Sequence, residues 1–287
     1  MQYRELGRTG QRLSVIGFGG IVVVGTSQEE ANRLVASAVD RGVTYFDVAP
    51  SYGNGEAEER LGPALEPYRS RVFLAGKTQR RDAAGAQQEL EQSLRRLRTD
   101  YFDLYQLHAM TRLEDVETVL GPGGAMETFM RAREQGKVRF LGFSAHSVEA
   151  AVELLRRFPF DSVLFPFNFA AYLSGNFGPQ VVEAAQRAGA GLLALKGMAR
   201  TRWPEGTTRE QRRWQKAWYE PIDDRALAEL ALRFTLSLPV TAAIPPGHAE
   251  LWELALEVAQ DPRPLAAEEE QRLRELAMQT EPIFQAA

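Results

Sequence analysis

Short apolar runs recur along the chain with amphipathic stretches between them, the alternation from which βα units are built. The runs at residues 14–17, 44–48, 72–76, 103–107, 138–143, 162–167, 191–195 and 240–244 read as eight buried parallel strands. Between them, residues 29–40 carry Ala31, Leu34, Val35 and Ala38 at helical spacing, and residues 87–97 place Leu90, Leu94 and Leu97 on one face. Eight strands with helices between them predict an α/β fold, a closed (β/α)8 TIM barrel, as a single domain over residues 1–287. Ahead of the first strand, residues 3–13 read as a small hairpin turning on glycines, placed to plug the bottom of the barrel. Residues 266–278 have helical periodicity and predict an extra C-terminal helix that stops near Pro282. No long linker, low-complexity segment or repeat divides the chain.

Composition narrows the function classes. A chain of 287 residues that is 44% hydrophobic can bury one large core. Its net charge of -4 supplies no general attraction to nucleic acid or to an anionic membrane. Zero cysteines exclude disulfides, thiolate catalysis and cysteine-ligated metals, and three histidines argue against a histidine-rich metal site. The opening ten residues are polar and no apolar stretch approaches membrane-spanning length, so the expectation is a soluble, cytoplasmic protein without a resident metal.

Four residues of different chemistry follow or close successive apolar runs: Asp47, Tyr52, Lys77 and His108. Carboxyl-terminal strand ends are where barrel enzymes keep their active sites. Each residue has an ordinary reading on its own, since an aspartate can cap a turn, a lysine can be solvated and a tyrosine can line a loop. Together, at the ends of successive strands, they read as a proton donor with its tuning groups. His108 is the most informative, because Leu104-Tyr105-Gln106-Leu107-His108 places an imidazole at the end of a buried strand.

The stretches Phe46-Asp47-Val48-Ala49-Pro50-Ser51-Tyr52-Gly53-Asn54-Gly55-Glu56, Gly76-Lys77-Thr78 and Asp103-Leu104-Tyr105-Gln106-Leu107-His108 resemble three signature segments of the aldo-keto reductases. Leu6-Gly7-Arg8-Thr9-Gly10, Ile16-Gly17-Phe18-Gly19, Gly136-Lys137-Val138-Arg139 and Gly142-Phe143-Ser144 are similar as well, so the likeness runs from near the N-terminus to Ile244-Pro245. The resemblance implies reversible reduction of an aldehyde or ketone by hydride from a nicotinamide dinucleotide. It makes Tyr52 the general acid, Lys77 the cation that lowers its pKa, Asp47 the partner of Lys77, and His108 the donor that orients the carbonyl oxygen.

The implied cofactor contacts match less completely. Ser144 matches the serine that hydrogen-bonds the nicotinamide carboxamide and Asn168 the asparagine of the family's aromatic-Asn pair, a further nicotinamide contact, while Leu164 stands where the family generally has a carboxamide-binding glutamine. The family's usual Ser-Asn pair reads Ser144-Ala145-His146 here, and His146 either replaces the lost polar contact or caps the next helix. Lys196, with Arg200 or Arg202, is a candidate for the phosphates, and Gly247 suits a phosphate at a helix start. Many family members follow the last strand with a base that grips the 2′-phosphate of NADP; residues 244–252 contain neither lysine nor arginine. Family preference favours NADP(H), whereas Glu250 beside a ribose would favour NAD(H).

Substrate identity rests on loops, and the largest are residues 108–124 and 198–221. The second contains Trp203, Trp214, Trp218 and Tyr219, which read either as a hydrophobic wall of the pocket or, from the four-residue spacing of Trp214 and Trp218, as one packing face of a short helix; the adjacent Arg209, Arg212, Arg213 and Lys216 read either as steering an anionic substrate or cofactor or as a solvated helix surface. Two other functions fit parts of the pattern. One is a nicotinamide-binding regulatory subunit with little turnover, which the resemblance also allows. The other is an isomerase or Schiff-base lyase on the same barrel, for which Tyr52, Ser144 and Asn168 would have no purpose.

Overall fold

A computed structural model describes residues 1–260 and 263–286. An antiparallel hairpin of β1 (Tyr3–Glu5) and β2 (Arg12–Ser14) precedes the barrel strands β3 (Phe18–Gly19), β4 (Tyr45–Asp47), β5 (Phe73–Thr78), β6 (Phe102–Met110), β7 (Val138–Ala145), β8 (Ser162–Pro166) and β9 (Gly191–Leu195). A second hairpin, β10 (Ala199–Arg202) with β11 (Tyr219–Pro221), interrupts the alternation before the last barrel strand, β12 (Ala242–Ile244). The barrel strands are parallel and ordered β12-β9-β8-β7-β6-β5-β4-β3. A bridge between Ile16 and Ala243 joins the two ends of that sheet, with Gly17 N–H to Ala243 O at 3.0 Å and Ala243 N–H to Val15 O at 2.9 Å. The (β/α)8 expectation is therefore met.

The first strand differs from its expected place. Residues 14–17 form not the paired strand but the approach to it, and β3 itself is Phe18–Gly19. Ser14 belongs to the hairpin, and its hydroxyl accepts from Thr44 N–H at 3.0 Å, so the apolar run is shared between hairpin, closure and strand.

Alternation along each strand sorts side chains into two layers. Inward-facing Tyr45, Phe73, Ala75, Leu104, Leu164, Leu193 and Ala242 fill the barrel, and Leu6 and Leu13 of the hairpin join them, so the hairpin does plug that end. Outward-facing residues such as Phe46, Leu74, Tyr105 and Phe143 pack with the buried faces of the helices. Helix starts are set by side-chain caps: Ser27 accepts from Glu30 N–H, Asp82 from Gly85 N–H, Ser147 from Ala150 N–H and Asp224 from Leu227 N–H. The expected helices at 29–40, 87–97 and 266–278 lie within or against Gln28–Asp40, Ala83–Leu97 and Ala267–Gln279. Among the described residues, no helix is long and apolar enough to cross a membrane.

Candidate active site

The barrel's inward layer turns polar at its carboxyl-terminal mouth. Asp47 follows Tyr45 by two positions, Lys77 follows Ala75, and His108 follows Gln106, so period-two alternation points these side chains into one space. Lys77 and His108 lie inside their strands, not just beyond them as expected, because β5 and β6 continue to Thr78 and Met110.

Lys77 Nζ donates to Asp47 Oδ1 and, at 3.4 Å, to Val48 O. The other oxygen, Asp47 Oδ2, accepts from Tyr45 Oη and from Gln106 Nε2, each at 3.2 Å. Sequence reasoning missed Tyr45 and Gln106, although their i–2 positions before Asp47 and His108 carried the signal. Burial disfavours the Lys77 ammonium, but Asp47 and then Tyr52 outweigh it and raise its pKa above the ordinary lysine value.

Tyr52 comes from the loop after β4, where a tight turn spans Tyr52–Gly55. Three consecutive left-handed residues, Gly53 (φ 61°), Asn54 (φ 55°) and Gly55 (φ 100°), reverse the chain directly behind the ring. A side chain at Gly55 would meet the Arg96 guanidinium at 2.6 Å. Lys77 Nζ lies 5.2 Å from the centre of the Tyr52 ring, and the His108 ring stands nearly perpendicular to it at 5.8 Å. Lys77 does pull the phenol toward ionisation, as expected. Burial is the larger effect, however, and the net shift of Tyr52 is upward.

His108 sits at a bulge. Pairing of β6 with β7 shifts register between Leu107 and Met110, and Ala109 takes φ 54°. Arg81 Nη2 donates to the carbonyls of His108 and Ala109 at 2.9 and 3.3 Å, while Ala109 N–H donates to Ser144 Oγ at 2.8 Å. Ser144 therefore supports the bulge with its oxygen and keeps its hydroxyl proton for another partner. Burial, then the nearby Lys77, pushes the His108 pKa well below its usual range, and its Nδ1 is buried without a hydrogen bond.

Asn168 caps the short helix Phe169–Leu173 through Oδ1, which accepts from Ala171 N–H at 2.9 Å, and leaves its buried Nδ2 unpartnered. Leu164 pairs with Ser144 across β7 and β8 and forms an apolar wall. His146 is not the helix cap; Ser147 is. Its ring stacks on Phe284 at 5.4 Å, and burial, then Lys196, lowers its pKa to about 3.

A cleft runs from Asp47 and Tyr52 past Leu164, Leu195 and Lys196 to Lys216 and Gly247. Lys196 tops β9 with φ 64°, and burial, then Lys77, lowers its pKa to about 7. Arg200 does not reach the cleft; it is exposed and faces Glu220 at 3.6 Å. Arg202 does not line the cleft; it donates to Ile283 O at 3.0 Å, with its guanidinium 5.9 Å from the ring centre of Trp218. Glu250 lies in the first turn of the helix Ala249–Val258 and does not line the cleft.

The expected Trp helix is absent. Residues 199–221 form the β10–β11 hairpin with a short turn at Arg209–Gln211, in which Trp214 is buried against His248 while Trp218 is 44% exposed. Their spacing of four reflects two separate contacts, since Trp214 Nε1 donates to Asp223 and Trp218 lies against Tyr219 and Phe284.

Known proteins share both sequence and architecture with this chain. An uncharacterized oxidoreductase, YqkF of Bacillus subtilis, is 25% identical over 94% of each chain. The aldo-keto reductase YhdN of the same organism is 32% identical over 58% of this chain and 54% of its own length. The holo form of aldo-keto reductase AKR11C1 from Bacillus halodurans superposes with a TM-score of 0.74 at 24% identity, covering 96% of both chains, a likeness of fold. The model of the Aldo/keto reductase family matches residues 15–279, and the chain belongs to that family.

Proposed function

We propose that the protein is an NAD(P)H-dependent oxidoreductase that reduces aldehyde or ketone carbonyls to alcohols, reversibly, with Tyr52 as general acid. The observation that carries this reading is the meeting of Tyr52, Lys77, Asp47 and His108 at one mouth of the barrel, beside a cleft. The residues present fit a nicotinamide dinucleotide. Asn168 offers a buried amide donor without a partner, Ser144 a free hydroxyl proton, and the cleft beyond them carries Lys196 and Gly247.

The bound dinucleotide would supply the hydride, which no side chain carries. The remaining tasks fall to the chain. Burial keeps Tyr52 protonated, so its Oη holds the proton that a reduced carbonyl oxygen requires. Once that proton leaves, the Lys77 ammonium faces a developing phenolate, and Asp47 holds Lys77 in place and charged. His108 is neutral, so one ring nitrogen donates while the other does not, and the donor can fix the carbonyl oxygen near Tyr52. Leu164 and Leu195 exclude water from the same space.

The test is titration of the purified protein with NADPH and with NADH, followed by quenching of its tryptophans, and then turnover with a neutral aldehyde. Binding with turnover is expected. Binding without turnover would replace the enzyme reading with the regulatory one, and binding of neither dinucleotide would defeat both.

A further inference from the structure

The chain has four lysines against thirty arginines, so each lysine stands out. Lys137 is paired with Glu91 and Lys77 with Asp47. The other two, Lys196 and Lys216, line one cleft, and among the described residues neither has a carboxylate within ion-pair distance. Among the described residues the Lys196 ammonium has no hydrogen-bond partner, and it lies 5.5 Å from the Trp218 ring centre and 5.7 Å from that of Tyr219.

Lys216 sits on the excursion between β10 and β11 and is carried across the mouth. Its Nζ donates to Val22 O at 3.0 Å, in the turn Gly20–Val23 after β3, and its backbone N–H donates to His248 Nε2 at 3.1 Å, in the loop after β12. That loop has no lysine or arginine of its own, and it is pressed against the β3 turn so closely that a side chain at Gly247 would lie 2.3 Å from Ile21 Cγ2. Glu56 and Glu250 face Lys216 from beyond ion-pair distance, and the Glu56 carboxylate is occupied by Gly25 N–H at 3.0 Å. Positive charge at this end of the cleft therefore arrives from the crossing segment.

We propose that Lys216, together with Lys196, holds the phosphate groups of the dinucleotide, and that Lys216 supplies the charge missing from the loop after β12. This rests on the dinucleotide reading above. A dinucleotide whose reacting end lies at Tyr52 must run along the cleft toward Gly247, and its phosphates then pass two ammonium groups that, among the described residues, have no carboxylate within ion-pair distance. Lysine suits the task because a rotatable point charge can leave Val22 O and follow a phosphate.

The experiment compares wild type with Lys216→Gln and Lys216→Met by tryptophan quenching with NADPH, NADH and inorganic diphosphate. Glutamine keeps a donor for Val22 O but removes the charge. At least a tenfold rise in Kd for both variants is expected. An equal rise for NADPH and NADH places Lys216 on the diphosphate, and a rise for NADPH alone places it on the 2′-phosphate. Binding by Lys216→Gln within twofold of wild type would overturn the proposal, leaving the residue as a latch for the segment. If wild type binds neither dinucleotide, the proposed function has failed separately, and inorganic diphosphate still decides the lysine: equal binding by wild type and Lys216→Gln, or no binding by either, overturns it.

Discussion

Two buried aspartates mark opposite ends of the barrel, and they are used differently. Asp103, near the start of β6, accepts from Arg69 at 3.0 Å, from Arg139 at 2.7 Å and from Leu74 N–H at 2.9 Å. Asp47, at the end of β4, is held by Lys77, Tyr45 and Gln106. The carboxylates are equally well satisfied, but their surroundings are not. Around Asp103 the partners are guanidiniums at the rim, and the network ends there. Around Asp47 the network continues into Lys77, Tyr52 and His108, where buried polar atoms lack partners and the pocket lies beside them. A closed polar network supports a fold; an open one leaves hydrogen-bonding capacity for a substrate.

The sharpest way to break that contrast is Tyr52→Phe. Carbonyl reduction should fall by roughly 10²–10⁴-fold with dinucleotide affinity and stability nearly unchanged, and steady-state turnover beside a binding titration checks it. Unaltered turnover would end the assignment of Tyr52 as acid. Asp103→Ala should show the opposite signature. Removing the shared acceptor of two arginines and a backbone amide should cost about 3 kcal/mol in urea unfolding while leaving Kd for the dinucleotide unchanged.

Lys196→Met sharpens the comparison from the open side. The Lys196 pKa is about 7 in the folded chain against 10.5 for a solvated lysine, so below pH 7 both the folded and unfolded states carry the proton and burial of the charge destabilises the fold in full. As pH rises from about 7 to 10.5 the unfolded state holds more proton, and stability should climb until that cost is gone. The methionine variant should be more stable by a few kcal/mol at neutral pH, with the gap closing toward pH 10.5, measured as unfolding free energy against pH. A gap that does not change with pH would mean the ammonium is well solvated. Ser144→Ala is the mildest test: loss of the acceptor for Ala109 N–H should cost about 1 kcal/mol and disturb His108, seen as a shift of its imidazole NMR signals.

Where a side chain's role follows from strand periodicity, the sequence is readable. Asp47, Lys77 and His108 can be placed at one mouth because each follows or closes a short apolar run at the end of a predicted strand, and Tyr52 because it lies in the loop after the first of them. The first strand is displaced because one continuous apolar run serves three structures in succession. The Trp-rich segment departs from expectation for a different reason. Spacing of four suggests a helix only where hydrogen bonds can close one, and here Pro204, Gly206 and the distant partners Asp223 and His248 set the path. Arg200 and Arg202 are plausible phosphate ligands by sequence position, yet alternation along β10 and its neighbours sends them to Glu220 and Ile283. Lys216 is marked in the sequence by the basic cluster it forms with Arg209, Arg212 and Arg213 and by the scarcity of lysine in an arginine-rich chain, but neither signal gives its place across the mouth.

The seam of the barrel has a consequence for how the protein is made. Arg4 Nη1 donates to the carbonyls of Leu236 and Val240, Thr241 Oγ1 donates to Glu5 O, and Ile16 bridges Ala243. Each tie joins the opening of the sequence to a segment more than 220 residues later. During translation the early strands must therefore wait, with one edge uncovered, until β12 has left the ribosome. For a chain emerging at roughly 5–20 residues per second, that is a delay on the order of ten seconds or more, and the time in which the nascent barrel is most exposed to mispairing.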